Sequence, residues 1–232
     1  MSKTKISVII PILNEEKTIK GLIEHLVENS SSKNIKEIIV VDGGSTDNSR
    51  AKATLFKEVV FIESSRGRAC QMNAGARVAS GEVLYFLHAD SFPPKSFDGL
   101  ILDKISRNYK AGCFMMKFDS RRWELRLAGW FTKFNWKICR GGDQSQFICK
   151  ALFEEIGGFD EDFIIYEDND LINKLYARKQ FVIIKKWLIT SARRYEINGI
   201  WKLQFHFLII HIKKRLGASP KEIHNYYLKH IS

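Results

Sequence analysis

The run ISVIIPI, Ile6 to Ile12, constrains this chain more than any other stretch of it. A strand with one wet face alternates apolar and polar residues. An unbroken β-branched run needs cover on both faces, as an inner strand of a parallel sheet has. A second such run, EIIVV at Glu37 to Val41, and a short third, Val59 to Ile62, follow. Between the first two, Ile19, Leu22, Ile23, Leu26 and Val27 mark one face of a helix. Asn14 reads as its N-cap, with Glu15 and Glu16 suiting the positive end of the helix dipole. A further helix is expected around Cys70 to Ala79, and Gly81 introduces a strand from Glu82 to Leu87. Strands alternating with helices imply parallel pairing and right-handed crossovers, hence an α/β fold.

In such a sheet, ligands bind beyond the carboxyl ends of the strands. Asp42 ends EIIVV and Asp90 follows VLYFL, so both are expected on one rim. The loop VDGGSTDNS, Val41 to Ser49, combines glycines that allow close backbone approach with a carboxylate able to accept from a base or ribose. It also reads as a plain polar turn. In SSRGRACQMNAG, Arg66 and Arg68 flank Gly67 just before a helix start, where guanidinium groups and amides suit phosphate. Neither a GxGxxG after the first strand nor a GxxxxGK[ST] is present, so dinucleotide and P-loop readings lack support. His88-Ala89-Asp90 closes its strand either as a turn cap beside Pro93 and Pro94 or as a ligand-bearing corner.

A chain of 232 residues with 45% hydrophobic content fits one large α/β domain. Its four cysteines form no CxxC pair and no zinc spacing, which fits reduced thiols and a cytoplasmic protein. The first apolar run is too short for a signal peptide or a membrane span. A net charge of +11 favours anionic partners: nucleic acid, anionic lipid or phosphorylated small molecules. With no nucleic-acid-binding motif, nucleic acid is not an expected partner. Aromatics interleave with basic residues from Arg121 to Arg140, either as an acceptor-covering lid, as an amphipathic helix meeting a membrane or a second subunit, or as a helix packed on its own domain. The segment from Gly199 to Leu216 has too many Lys, Gln and His to span a bilayer, so only peripheral contact with an anionic membrane is expected.

SVIIPILNEE, IIVVDGGSTDNS and GRACQMNAGARVASGEVLYFLHADS, in that order and spacing, resemble the family 2 inverting glycosyltransferases over roughly the first hundred residues. GGDQSQFICKALFEEIGGFDEDFIIYEDNDL, from Gly141 to Leu171, resembles that family's acceptor-side segment, and the C-terminal stretch is similar to a small stand-alone bacterial subgroup. The resemblance implies a single GT-A type domain: a mostly parallel central sheet with helices on both faces and a helical C-terminal segment. Residues 1–95 would form the nucleotide-sugar half, 96–198 the acceptor-side half and 199–232 the helical end.

It also implies transfer of a sugar from a nucleoside-diphosphate sugar to a hydroxyl acceptor, which could be lipid-linked. Pro11, Asn14, Glu15, Asp42, Gly44, Arg66, Arg68, Asn73, His88, Ala89 and Asp90 would line the nucleotide-sugar site. The family's strand-end motif is Asp-x-Asp and holds Mn²⁺ or Mg²⁺. Here His88 stands in the first place and Asp90 in the second, so Asp90 inherits the metal and His88 either joins it, hydrogen-bonds phosphate or sugar, or packs. Asp168 matches the family's general base, with Glu167 beside it and Asp170 as a further candidate; acidic residues at a helix start also favour its dipole. The QxxRW motif of the processive synthases is absent. Two other readings stand beside this one: a nucleotide-sugar-binding protein that has lost activity, and a basic polyanion binder.

Overall fold

The computed structural model describes residues 4–141 and 144–231. Its first half alternates β1 (Ile6–Ile12), α1 (Ile19–Asn29), β2 (Ile35–Asp42), α2 (Ser49–Ala53), β3 (Val59–Glu63), α3 (Arg68–Val78) and β4 (Val83–Phe86). The second half contributes β5 (Ser91–Phe92), α4 (Phe97–Ser106), β6 (Ala111–Phe118), α5 (Trp123–Phe131), β7 (Gln146–Cys149), α6 (Lys150–Glu155), α7 (Glu167–Ala177) and β8 (Phe181–Thr190). After β8 come the helices α8 (Arg193–Asn198), α9 (Ile200–Arg215) and α10 (Pro220–His230).

Among the described residues the strands form one 8-stranded sheet in the order β3-β2-β1-β4-β7-β6-β8-β5. β3, β2, β1 and β4 run parallel, β7 runs against both β4 and β6, and β8 is parallel to β6. All seven residues of β1 are buried, as the unbroken apolar run requires. Val8, Ile10 and Ile12 face a cluster shared with α1, α4, α9 and α10, while Ile9 faces one shared with α3, α6 and α7. Helices therefore cover both faces, and the C-terminal helices pack into the same domain. A Ser219–Glu222 capping box starts α10.

One local expectation fails. Asn14 does not cap α1, which begins at Ile19 with Thr18 before it. Asn14 sits at φ 56 in the left-handed region, and residues 14–16 turn toward the loop after β2. There the Asn14 amide donates to Ser45 Oγ (2.9 Å), that of Glu15 to Ser49 Oγ (2.8 Å) and that of Glu16 to Asp47 Oδ2 (3.1 Å). The amides thus find side-chain acceptors across a gap between strands rather than in a helix of their own.

Candidate functional site

The carboxyl ends of β2, β1 and β4 form one rim. Asp42 lies level with Ile12, Phe86 lies level with Ile9, and the Leu87 amide donates to Ile9 O (3.0 Å) before the chain turns through His88, Ala89 and Asp90. Asp42 and the His88–Asp90 turn thus share that rim. Asp42 is buried and accepts from Ser45 N (3.1 Å to each oxygen) and Ser45 Oγ (2.5 Å). The turn it stabilises passes through exposed Gly44 at φ 94, a conformation that suits glycine. Asn14 Oδ1 accepts from Thr46 N (2.8 Å), so Asn14 and Glu15 brace this loop from β1, whose Pro11 is buried opposite Val41.

Behind the loop lies a buried amide. Gln71 of α3 donates through Nε2 to both Ile12 O and Val41 O, at 2.8 Å each. The same helix begins with Arg68, after Gly67 at φ 135, and exposed Arg66 precedes it. Asn73, two residues beyond Gln71, is committed elsewhere. Its Nδ2 donates to Phe159 O (2.9 Å) and Glu161 Oε1 (2.8 Å), and its Oδ1 accepts from Phe159 N (3.1 Å). It thereby fastens the turn at Gly157, Gly158 and Phe159, whose two glycines have positive φ, onto the first half.

That turn leads to α7. Tyr166 immediately before it adopts φ 80, costly for an aromatic residue and held here by its surroundings. Its ring packs edge-on to His211 (5.2 Å between centroids), and burial pushes the His211 pKa down. Glu167 and Asp168 follow at once, 2% and 4% exposed. Arg68 Nε lies 3.3 Å from Glu167 Oε1. Asp170, the further candidate, instead faces Lys174 Nζ at 3.1 Å.

Arg68, Glu167 and Asp168 line one end of a cleft of about 580 Å³, within the range of small-molecule sites. Residues not anticipated from the sequence also line it. Buried Arg140 donates from Nη2 to Thr132 O (2.6 Å) and Phe134 O (2.8 Å), fixing the chain after α5. Gln144, 2% exposed, lines the floor, and its Oε1 accepts no hydrogen bond among the described residues. Its neighbours Gly142 and Asp143, part of the acceptor-side motif, lie outside the described residues. Arg193 Nη2 stands 3.4 Å from Glu15 Oε1, bringing the last third of the chain to the rim.

Among the described residues no three His, Cys, Asp or Glu side chains gather as a metal cage. A hard divalent ion shared with a diphosphate needs less: one or two protein ligands, the rest being phosphate oxygens and water. Asp90, with His88 two residues before it in a half-buried turn, fits that requirement. No helix among the described residues is long and apolar enough to cross a membrane. The segment from Arg121 to Arg140 contains α5, whose Leu125 is buried and whose Gly129 sits so close to β6 that a Cβ there would lie 2.8 Å from Met116 O. It is therefore packed on its own domain, with its other face outward.

The chain is 27% identical over 222 residues to the probable glycosyltransferase YdaM of Bacillus subtilis (strain 168), which covers 85% of this chain. It spans 52% of that relative's length, about half. Among solved structures, S. aureus TarS residues 1–349 in complex with UDP superposes with a TM-score of 0.66 at 19% identity, covering 81% of this chain and 60% of that one. The mannosyltransferase PcManGT from Pyrobaculum calidifontis, in complex with GDP-Man and Mn²⁺, gives 0.65 at 19% identity over 97% of this chain and 70% of that one. Both likenesses concern the fold, which is of the GT-A type. Residues 7–172 match the family described as Glycosyl transferase family 2. On that match, which takes in most of its length, the chain belongs to glycosyl transferase family 2.

Proposed function

We propose that this protein transfers a sugar, with inversion, from a nucleoside-diphosphate sugar to a hydroxyl acceptor. The observation that carries this reading is the meeting of Arg68, from the helix behind the β2 and β4 rim, with Glu167 at 3.3 Å beside Asp168, at the end of one ligand-sized cleft. A cation suited to phosphate and a carboxylate suited to proton removal thus stand where two substrates could meet. The solved relatives add support at the level of class, since TarS is seen with UDP and PcManGT with GDP-Man and Mn²⁺.

The loop of Asp42 and Gly44 holds the nucleoside, with Asn14, Glu15 and Pro11 bracing it from β1. Arg68, aided by Arg66, binds the diphosphate. Asp90, with His88 and Ala89 in the same turn, would hold Mn²⁺ or Mg²⁺ against that diphosphate; such an ion offsets negative charge on phosphate oxygens. In the reaction the bond between the anomeric carbon and the phosphate oxygen breaks, and the acceptor oxygen bonds that carbon from the opposite face. Asp168 takes the acceptor's proton. Glu167 pairs with the Arg68 guanidinium until the leaving diphosphate, as its charge grows, draws that cation away.

The deciding experiment is a thermal-shift and turnover screen of nucleoside diphosphates and their sugars with and without Mn²⁺. A site filled at a hundred times Kd adds about 2.7 kcal/mol of stability. The reading fails if no nucleotide sugar shifts the melt and none is consumed.

A further inference from the structure

The cleft that ends at Glu167 and Asp168 runs outward as an apolar trough. Trp123, Leu127 and Phe131, at successive turns of α5, form one wall, and Trp201 and Leu208 of α9 form the other. Each helix already buries a different face: Leu125 and Gly129 in α5, and Ile200, Leu203 and Ile210 in α9. The trough walls are therefore surplus to the core. Trp123 is 62% and Trp201 67% exposed, far more than large aromatics show without a partner.

Three observations say what covers them. The trough is concave and ligand-sized, about 580 Å³, unlike the flat, extended face that meets a second subunit. Among its polar lining groups, Glu167, Asp168 and the unsatisfied Oε1 of buried Gln144 can accept from hydroxyls. The same cavity is continuous from those carboxylates to the tryptophans, so one molecule can touch both.

We propose that the acceptor is amphipathic: a hydroxyl-bearing head at Asp168 and Gln144, and a single apolar chain laid between α5 and α9. This rests on the transferase reading above and names its acceptor class.

The test is binding of hexyl, octyl and decyl β-glucosides below their micelle concentrations, by titration calorimetry and tryptophan fluorescence, with no sugar nucleotide present. Each added methylene buried in the trough tightens binding roughly two- to fourfold. Leu127→Asp and Trp201→Asp, which place a carboxylate in an exposed part of either wall, flatten that dependence, while Trp201→Phe retains most of it. Nucleoside-diphosphate titrations on the same variants stay at wild-type affinity. Chain-length independence in the wild type overturns the proposal, as does an undiminished dependence in both charged variants. Sedimentation of the wild type as a dimer that Leu127→Asp dissociates would assign the face to a second copy instead. Binding to phosphatidylcholine vesicles without chain-length-dependent binding of the monomeric glucosides would assign it to the membrane surface, and the proposal falls. Loss of nucleotide binding with chain-length dependence intact would strike the transferase reading and leave the trough standing.

Discussion

Arg68 Nε stands 3.3 Å from Glu167 Oε1, and the two residues begin different helices, α3 and α7, almost a hundred positions apart in the chain. A diphosphate that claims Arg68 must compete with this buried carboxylate. Arg68→Ala is therefore expected to weaken nucleoside-diphosphate binding about tenfold to a hundredfold, the range for a charge-assisted hydrogen bond, and nucleoside binding far less. Glu167→Gln removes the competitor and tightens the diphosphate. Asp42→Ala weakens nucleoside and nucleotide alike. Calorimetric titrations of both ligands decide this, and equal losses from Arg68→Ala with both would contradict the division of labour.

Asp168→Asn keeps size and polarity but cannot take a proton. Turnover is expected to fall by about 100- to 10,000-fold with the affinity for nucleotide sugar unchanged. Measured transfer within a few-fold of wild type would move the base to Glu167, since Asp170 is engaged by Lys174.

Asp90 lies in a half-buried turn outside the core, so Asp90→Ala is expected to fold normally and to lose the Mn²⁺-dependent part of nucleoside-diphosphate stabilisation. Chelation of the ion from wild type should give the same melt. His88→Asp restores a second carboxylate and shifts preference toward Mg²⁺. A variant with the wild-type metal preference would show that His88 does not touch the ion.

His211 supplies a pH signature. Burial lowers its pKa below the ordinary 6.5, so below that value the unfolded chain binds the proton more readily than the folded one. Its stabilising contribution is complete above 6.5 and is lost as pH falls through the folded-state pKa. His211→Gln should melt at lower temperature than wild type at neutral pH, with the two converging in mild acid. Parallel curves across that range would show that the imidazole does not titrate in this way.

The first half of the fold was legible because its strands are buried on both faces. ISVIIPI and EIIVV admit few other structures, and their ends place Asp42 and Asp90 on one rim without further information. Asn14 misled because a side chain that caps helices also bridges loops, and its left-handed backbone leaves no trace in the residues around it. The proposed acceptor side was legible only as motifs. Tyr166 gives no hint of its φ of 80, and Gln144 reads as an ordinary polar residue until the cavity above it is seen. Trp123 and Trp201 are far apart in sequence, so no pattern within either segment reveals that they face one trough.

The two bonds from Gln71 to Ile12 O and Val41 O make the proposed nucleotide side a stiff plate. Tilting α3, and with it Arg68, would strip two strand-end carbonyls of a partner and leave a buried amide without its acceptors. The loop that carries Asp42 and the helix that carries Arg68 therefore travel together. The turn at Gly157 and Gly158, fastened to the same helix through Asn73, is tied to that plate as well, so the start of α7 is held in step with Arg68.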